Sequence, residues 1–391
     1  MSAEISGRGP GALRELDRQR VLAAVRSLGA ASRTDLKLAT GLSRGTVASI
    51  VAELSREGLL RTASGPGVRT GFRGRPPVLL SLAPPAGLAV VVAIGHEHAL
   101  VAVGNSAGTL VEEQIAAFPP SPTAVDTLNV AARLLGDVVR ARQLSARNVK
   151  GAVLSLPASL SPSGEPVTPR YRGMDVARLV GLTDLGVRVS VLNDANVAAL
   201  GEAVFGAGRG LSDFVYVKMS HGIGAGLVIG GRLYQGSRGL AGNIGHLRVR
   251  DNGETCRCGN RGCLETLVSA QSLIAALNSA HHDMELGLTD FLRLAADGDP
   301  DAQRLARLAG HETGRVLAAV INAFNPTAVL VGGCLSPLGD PMLTGLRDSI
   351  MRYGQPAAVA GLNVLQAVCG QRAEALGGLA YAHRLLETPG A

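Results

Sequence analysis

Cys256–Glu265, CRCGNRGCLE, crowds three of the chain's five cysteines into eight residues. Glycines at 259 and 262 turn the backbone between them, and a glutamate follows two places after the last thiol. Structural zinc takes four ligands from cysteine, histidine and carboxylate side chains. The stretch supplies three, so the completing ligand has to come from elsewhere. An odd cysteine total, with three crowded among glycines behind an upstream histidine, suits metal ligation in a reducing compartment better than a disulfide framework. Three free thiols in a glycine-rich loop is the plainer alternative.

The chain has 391 residues, enough for two or three domains, since single cores rarely grow past roughly 250–300 residues. No apolar run approaches the roughly 18 residues that suggest a membrane span. Met1–Gly11 (MSAEISGRGPG) carries no basic-then-apolar leader pattern. A soluble, cytoplasmic protein with no membrane partner is therefore expected. Tryptophan is absent, which leaves the core to Ala, Val, Leu and Ile. The net charge of +7 is concentrated, because residues 1–82 hold 13 Lys/Arg against 6 Asp/Glu and residues 83–391 hold 25 against 25. A basic segment ahead of a neutral body is the electrostatic footprint of a nucleic-acid-binding module. A solvated basic face is the other reading.

From Gly11 to Gly29 the apolar residues recur at helical spacing. In SRTDLKLATGLSRGTVASIVAELSREGLL, which follows, Ser32 is a ready N-cap with Asp35 three residues on, Leu36 and Ala39 should face inward, and Gly41 should stop the helix. Ser43 should cap the next helix, with Val47, Ile50, Val51 and Leu54 on one face and Gly58 as its stop. Two short helices around a tight glycine turn make a helix-turn-helix. Its second helix would enter a DNA major groove by its N-terminal residues. After Gly58, two β-like runs flank a Gly/Pro/Arg-rich tip, the pattern of a winged helix. The candidate DNA contacts are Arg33, Ser43, Arg44, Gly45, Thr46 and Ser49, with Arg69, Arg73 and Arg75 on the wing. Arg44 could bond guanine through its planar fork, and the wing arginines could reach phosphate or minor groove. Pro84-Pro85 marks the expected boundary, giving a winged helix-turn-helix domain at 1–82.

Beyond Gly87 the chain alternates strands and helices, which argues an α/β fold with mixed sheets. The order of hairpin, helix, strand, helix and second hairpin looks like two related halves. The motifs LNDANVAALGE at 192–202, HGIGAGLVIGGRLYQG at 221–236, GNIGH at 242–246, CRCGNRGCLE at 256–265 and VLVGGCLS at 329–336 resemble the repressor, open-reading-frame and kinase (ROK) family. With a winged helix in front, the chain is similar to the family's transcriptional regulators. The resemblance implies a two-lobed, actin-like sugar-kinase fold over 83–391, with lobe 1 at about 86–193 plus a C-terminal helix at about 371–388, and lobe 2 at about 194–370. It also implies a cleft that senses a sugar or sugar phosphate and so releases DNA.

Phosphoryl transfer needs a general base, close-approach glycine loops and a carboxylate for Mg²⁺. Asp194 matches the family's catalytic base, and Gly222, Gly224 and Gly226 resemble its second phosphate loop, although Ser220-His221 replaces the usual Gly-Thr. The first phosphate motif, Asp-x-Gly-Gly-Thr in the family's kinases, reads Ala93-Ile94-Gly95-His96-Glu97 here. A methyl group replaces the metal carboxylate and an imidazole replaces a glycine beside phosphate, so kinase activity is not expected and Asp194 would be a relic base. His96 and His98 could form a metal pair, or simply line the cleft.

Carried over residue by residue, the resemblance gives Asn193, Asp194, Asn243, His246 and Glu265 as ligand contacts. Asn243 stands where the family has glutamate. Pro157-Ala158 and TPRYRG at 168–173 depart from the family's Pro-Gly and Asn-containing segments, and Arg170 and Arg172 could meet a phosphate or acidic group. His246, ten residues before Cys256, is the best fourth metal ligand. With Cys256, Cys258 and Cys263 it makes a closed Cys₃His set for structural Zn²⁺, with no open position for an activated water. Such a metal would fix His246 and anchor the loop bearing Glu265. The expected function is a DNA-binding regulator, a repressor, acting as homodimer or homotetramer on a double-stranded operator and released by a sugar, sugar phosphate or related effector. A sugar kinase with a DNA-binding arm and a constitutive DNA binder with a relic cleft are the alternatives.

Overall fold

The computed structural model describes residues 10–56, 60–62, 78–82, 87–281 and 285–384. The chain divides into two compact units, Met1–Ala86 and Gly87–Ala391.

In the first unit, helices Pro10–Leu28, Arg33–Thr40 and Arg44–Arg56 pack around Val25, Leu36, Ile50, Val51 and Leu54, all buried. Ser32 and Asp35 form a reciprocal capping box, with Asp35 N–H donating to Ser32 Oγ at 3.2 Å and Ser32 N–H to Asp35 Oδ2 at 2.8 Å. Gly41 ends that helix in the left-handed region at φ 71°. Ala39 is exposed rather than inward. The buried stripe of this two-turn helix runs from Leu36 towards half-buried Thr40, whose hydroxyl donates to the Leu36 carbonyl at 2.6 Å. Strands β1 (Leu60–Thr62) and β2 (Leu80–Leu82) pair antiparallel, Leu60 opposite Leu82, and Ala31 bridges to Leu80. This is the sheet of a winged helix. Gly58, the wing tip with Arg69, Arg73 and Arg75, and Pro84-Pro85 lie outside the described residues.

The second unit is built twice from one plan. Strands β3 (Leu88–Ile94), β4 (His98–Gly104) and β5 (Leu110–Ala117) form an antiparallel meander, and β6 (Val149–Leu156) and β7 (Val189–Asn193) add in parallel beside β3. Strands β8 (Phe214–Met219), β9 (Ile223–Ile229) and β10 (Arg232–Tyr234) form a second meander, and β11 (Ala328–Gly332) and β12 (Asn363–Gln366) add in parallel beside β8. The two sheet orders, β5-β4-β3-β6-β7 and β10-β9-β8-β11-β12, are the same topology. The central strands are near-continuous apolar runs because helices cover them.

Two helices join the sheets. Asp194–Phe205 starts directly at the end of β7 and shares a core with Phe214, Tyr216 and Leu330 of the second sheet. Ala373–Arg384 places Ala375, Leu379 and Ala382 in a core with Ala89, Val91 and Val153 of the first. They cross in close contact because two glycines leave room. A Cβ on Gly377 would lie 1.8 Å from the Val197 carbonyl oxygen, and one on Gly201 would lie 2.2 Å from that of Ala373. The crossing sets the depth of the cleft between the two sheets. Among the described residues no helix is long and apolar enough to cross a membrane.

Candidate ligand cleft, metal loop and nucleic-acid face

A cavity of about 400 Å³ opens between the two halves of the second unit. That falls in the range of small-molecule sites. Asn193, Asp194, Asn243, His246 and Glu265, far apart in sequence, all line it. Asn193 ends β7 and caps the following helix, its Oδ1 accepting from Asn196 N–H at 3.2 Å while Nδ2 donates to the Ala158 carbonyl at 3.2 Å and to Asp194 Oδ1 at 3.0 Å. Asp194 Oδ1 also accepts from Ala195 N–H at 2.9 Å.

The other oxygen of Asp194 is held by a residue that the sequence reading passed over. Lys218 Nζ donates to Asp194 Oδ2 at 2.7 Å and to Glu374 Oε1 at 2.6 Å, and Ser155 Oγ donates to Glu374 Oε2 at 2.6 Å. Burial alone pulls the Lys218 ammonium down, but the carboxylates of Asp194 and Glu374 outweigh it and its pKa rises above the ordinary lysine range. The network runs from β8 through both crossing helices to β6. There Ser155 stands directly opposite Ala93. A lone lysine in FVYVKM was the available signal, because a charge inside an apolar strand has to be paired.

The turns after β3 and β8 also face each other through side chains. His96 stacks on His221 with ring centroids 5.2 Å apart, and His221 Nε2 lies 3.0 Å from Glu97 Oε1. Burial first, and the neighbouring His221 second, push His96 down to about 3, so this imidazole is neutral. Gly224 and Gly226 lie within β9. A Cβ on Gly226 would come 2.4 Å from Ala199 Cβ, so that glycine serves helix-on-strand packing rather than approach to a phosphate. Gly222 alone of the three sits in the turn, and it faces Arg257 and Glu265.

His246, Cys256, Cys258 and Cys263 converge, with their ligand atoms all within 4.8 Å of one another. Cys256 Sγ is 3.5 Å from His246 Nδ1, and Cys258 Sγ is 3.7 Å from Cys263 Sγ. A tetrahedral zinc with bonds of about 2.3 Å to sulfur and about 2.0–2.1 Å to nitrogen gives edges of about 3.5 and 3.8 Å. The donor set therefore fits such an ion. Burial pushes the Cys263 thiol up to about 12, an environment that a bound dication would reverse. Among the described residues this is the one group of three or more His, Cys, Asp and Glu side chains that could hold a metal.

Arg257, between two of the cysteines, ties the loop to the cleft. Its Nε lies 2.8 Å from Glu265 Oε1, a second guanidinium nitrogen lies 3.0 Å from Oε2, and Ile223 N–H donates to Oε2 at 3.0 Å. Asn243 donates to Ser159 Oγ at 3.1 Å across the cleft.

In the first unit, Arg33, Ser43, Arg44, Gly45 and Ser49 are exposed and Thr46 is half-buried. The Ser43 hydroxyl caps Thr46 N–H at 3.1 Å, and Arg14 donates to Ser49 Oγ at 3.2 Å. Those two hydroxyls thus have structural partners. Arg44, Gly45, Ala48, Ser49 and Ala52 form one exposed helical face whose small side chains admit close approach, and the sequence reading missed both alanines.

The ROK family profile matches residues 89–385, so the chain belongs to the ROK family. It is 28% identical over 348 residues to the xylose repressor of Bacillus subtilis (strain 168), covering 88% of this chain and 89% of that protein. The crystal structure of a ROK family transcriptional regulator, a homologue of the E. coli MLC protein, superposes with a TM-score of 0.76 at 25% identity over 96% of both chains. A ROK family glucokinase from Streptomyces griseus, solved with glucose and AMPPNP, superposes with a TM-score of 0.67 at 26% identity, covering 76% of this chain and all of that one.

The Lys218 network predicts a specific coupling. Lys218→Met leaves the carboxylates of Asp194 and Glu374 facing each other without their cation and should lower unfolding stability by about 3–5 kcal/mol in a denaturant titration. Adding Asp194→Asn should recover part of that loss. Additive effects of the two substitutions would contradict the pairing.

Proposed function

We propose that this ROK family protein is a DNA-binding transcriptional repressor whose cleft senses a sugar or sugar derivative and does not transfer phosphate. The observation that carries this is the bond from the Lys218 ammonium to Asp194. A general base takes up the acceptor's proton, a task with which an ammonium bonded to the carboxylate competes. In Asp194 one oxygen takes Lys218 and the other takes Asn193 and Ala195. Ala93 offers no carboxylate to a nucleotide's metal, His96 fills the place of a glycine, and Glu97 is engaged by His221. The similarity of nearly the whole chain to repressors supports the same reading.

Residues 1–82 are the DNA-binding domain in this proposal, and 83–391 the sensor. Its lobe 1 is residues 86–193 with the C-terminal helix, and its lobe 2 is residues 194–370. Arg44 leads the recognition helix into the major groove, Arg33 stands beside it, and Arg69, Arg73 and Arg75 act from the wing. Asn193, Asp194, Asn243, His246 and Glu265 hold the effector. A structural zinc on His246, Cys256, Cys258 and Cys263 holds the imidazole and the Glu265 loop in place. The chain works in the cytoplasm as a homodimer or homotetramer, whose two-fold symmetry suits a palindromic operator. An effector releases DNA only by binding one arrangement of the lobes better than another.

Gel shifts on the protein's own upstream region should show binding by the full chain, loss on removing residues 1–82, and marked weakening in Arg44→Ala. Equal binding by all three proteins would overturn the assignment. Metal analysis of the purified chain should find one equivalent of zinc that Cys256→Ala loses. A metal-free native protein with unchanged stability would refute the zinc.

A further inference from the structure

The charges of the cleft are unevenly distributed. Three cations (Arg172, Lys218 and Arg257) and two carboxylates (Asp194 and Glu265) line the cavity. Lys218 is met by Asp194 and, behind the wall, by Glu374, while Arg257 is met by Glu265. Among the described residues Arg172 meets no carboxylate. It bonds the Val167 carbonyl at 3.0 and 3.4 Å, which leaves the remaining donors of its fork unused. Asn243, which also lines the cavity, is neutral. The site therefore has its surplus carboxylate at the Lys218 end and its surplus guanidinium at the Pro169–Gly173 end.

That second end repeats the feature. A smaller cavity of about 320 Å³ adjoins the first, sharing His96, Thr168 and Arg257 as wall and adding Arg170. Among the described residues Arg170 bonds only a backbone carbonyl, that of Pro122 at 2.8 Å, and it lies over the Tyr171 ring. Tyr171 is 1% exposed and pins the turn into the core. The two arginines flanking it are thus presented from a fixed point. Neutral His96 adds no competing charge between them. Planar guanidinium forks without carboxylate partners suit bidentate bonding to an oxyanion.

We propose that the effector is an anionic sugar whose carboxylate or phosphate is received by Arg172, while its hydroxyls face Asn193, Asn243 and Glu265. This rests on the cleft being a sugar sensor, as proposed above. Calorimetric titration of the full chain at fixed ionic strength with D-glucose, D-glucuronate and glucose 6-phosphate tests it. One or both anionic sugars should bind at least about tenfold more tightly than glucose, the worth of a charge-assisted hydrogen bond. The two anionic arms tell carboxylate from phosphate. Arg172→Gln should erase the preference while leaving glucose binding and the unfolding midpoint unchanged, and Arg172→Lys should retain part of it. Equal or tighter binding of glucose, or a preference indifferent to Arg172→Gln, would overturn the inference and leave sugar sensing standing. Binding of none of the three would overturn both.

Discussion

An ammonium ion withdrawn from water has to be met by carboxylates, and Lys218 is met twice, by Asp194 at 2.7 Å and Glu374 at 2.6 Å. Three chain segments have to hold position for that to happen: β8, the start of helix Asp194–Phe205, and the start of helix Ala373–Arg384. Ser155 adds β6 through the second oxygen of Glu374. Such a network contributes little net stability, because desolvating the ions offsets most of their attraction. Its effect is geometric. It fixes Asp194, in the wall of the cavity, as an acceptor already bonded to a cation.

The same logic links the metal loop to the cleft. Zinc-type ligands at Cys256 and Cys258 bracket Arg257, and Arg257 bonds the Glu265 carboxylate through both of its oxygens. His246 is at once a member of the four-residue cluster and a wall of the cavity. Any ligand that moves Glu265 or His246 therefore pulls on a loop stiffened by four donors. That loop is also moored elsewhere, since Arg250 bonds the buried carboxylate of Glu312 at 2.6 Å. The cleft has one wall held by an internal ammonium and another held by a metal-type brace.

Much of this was legible in the sequence, for identifiable reasons. The capping box at Ser32 and the stop at Gly41 are local signals, and the helix-turn-helix follows from them. The duplicated sheet order could be read because each half repeats a hairpin before its parallel strands. The five residues that line the cavity and the four that converge as a His–Cys cluster sit in short motifs. What stayed hidden depends on contacts between distant residues. Lys218 and Glu374 are 156 positions apart, and Ser155 and Glu374 are 219 apart, so no spacing rule joins them. Glycine was ambiguous for another reason. Gly226 looks like a phosphate-loop residue, yet the space it leaves is filled by Ala199, because close approach to a helix and to a phosphate require the same missing side chain. Ala39 was misplaced because two helical turns fix the direction of a buried stripe only loosely.

The central claim of the proposed function is that a cleft whose Asp194 is bonded to the Lys218 ammonium works as a receptor and not as a kinase. Calorimetric titration of the full chain with magnesium AMPPNP tests it most directly, with Lys218→Thr titrated alongside. The account predicts no binding by the native chain up to millimolar nucleotide. Micromolar binding by the native chain, no weaker than that of Lys218→Thr, would contradict it.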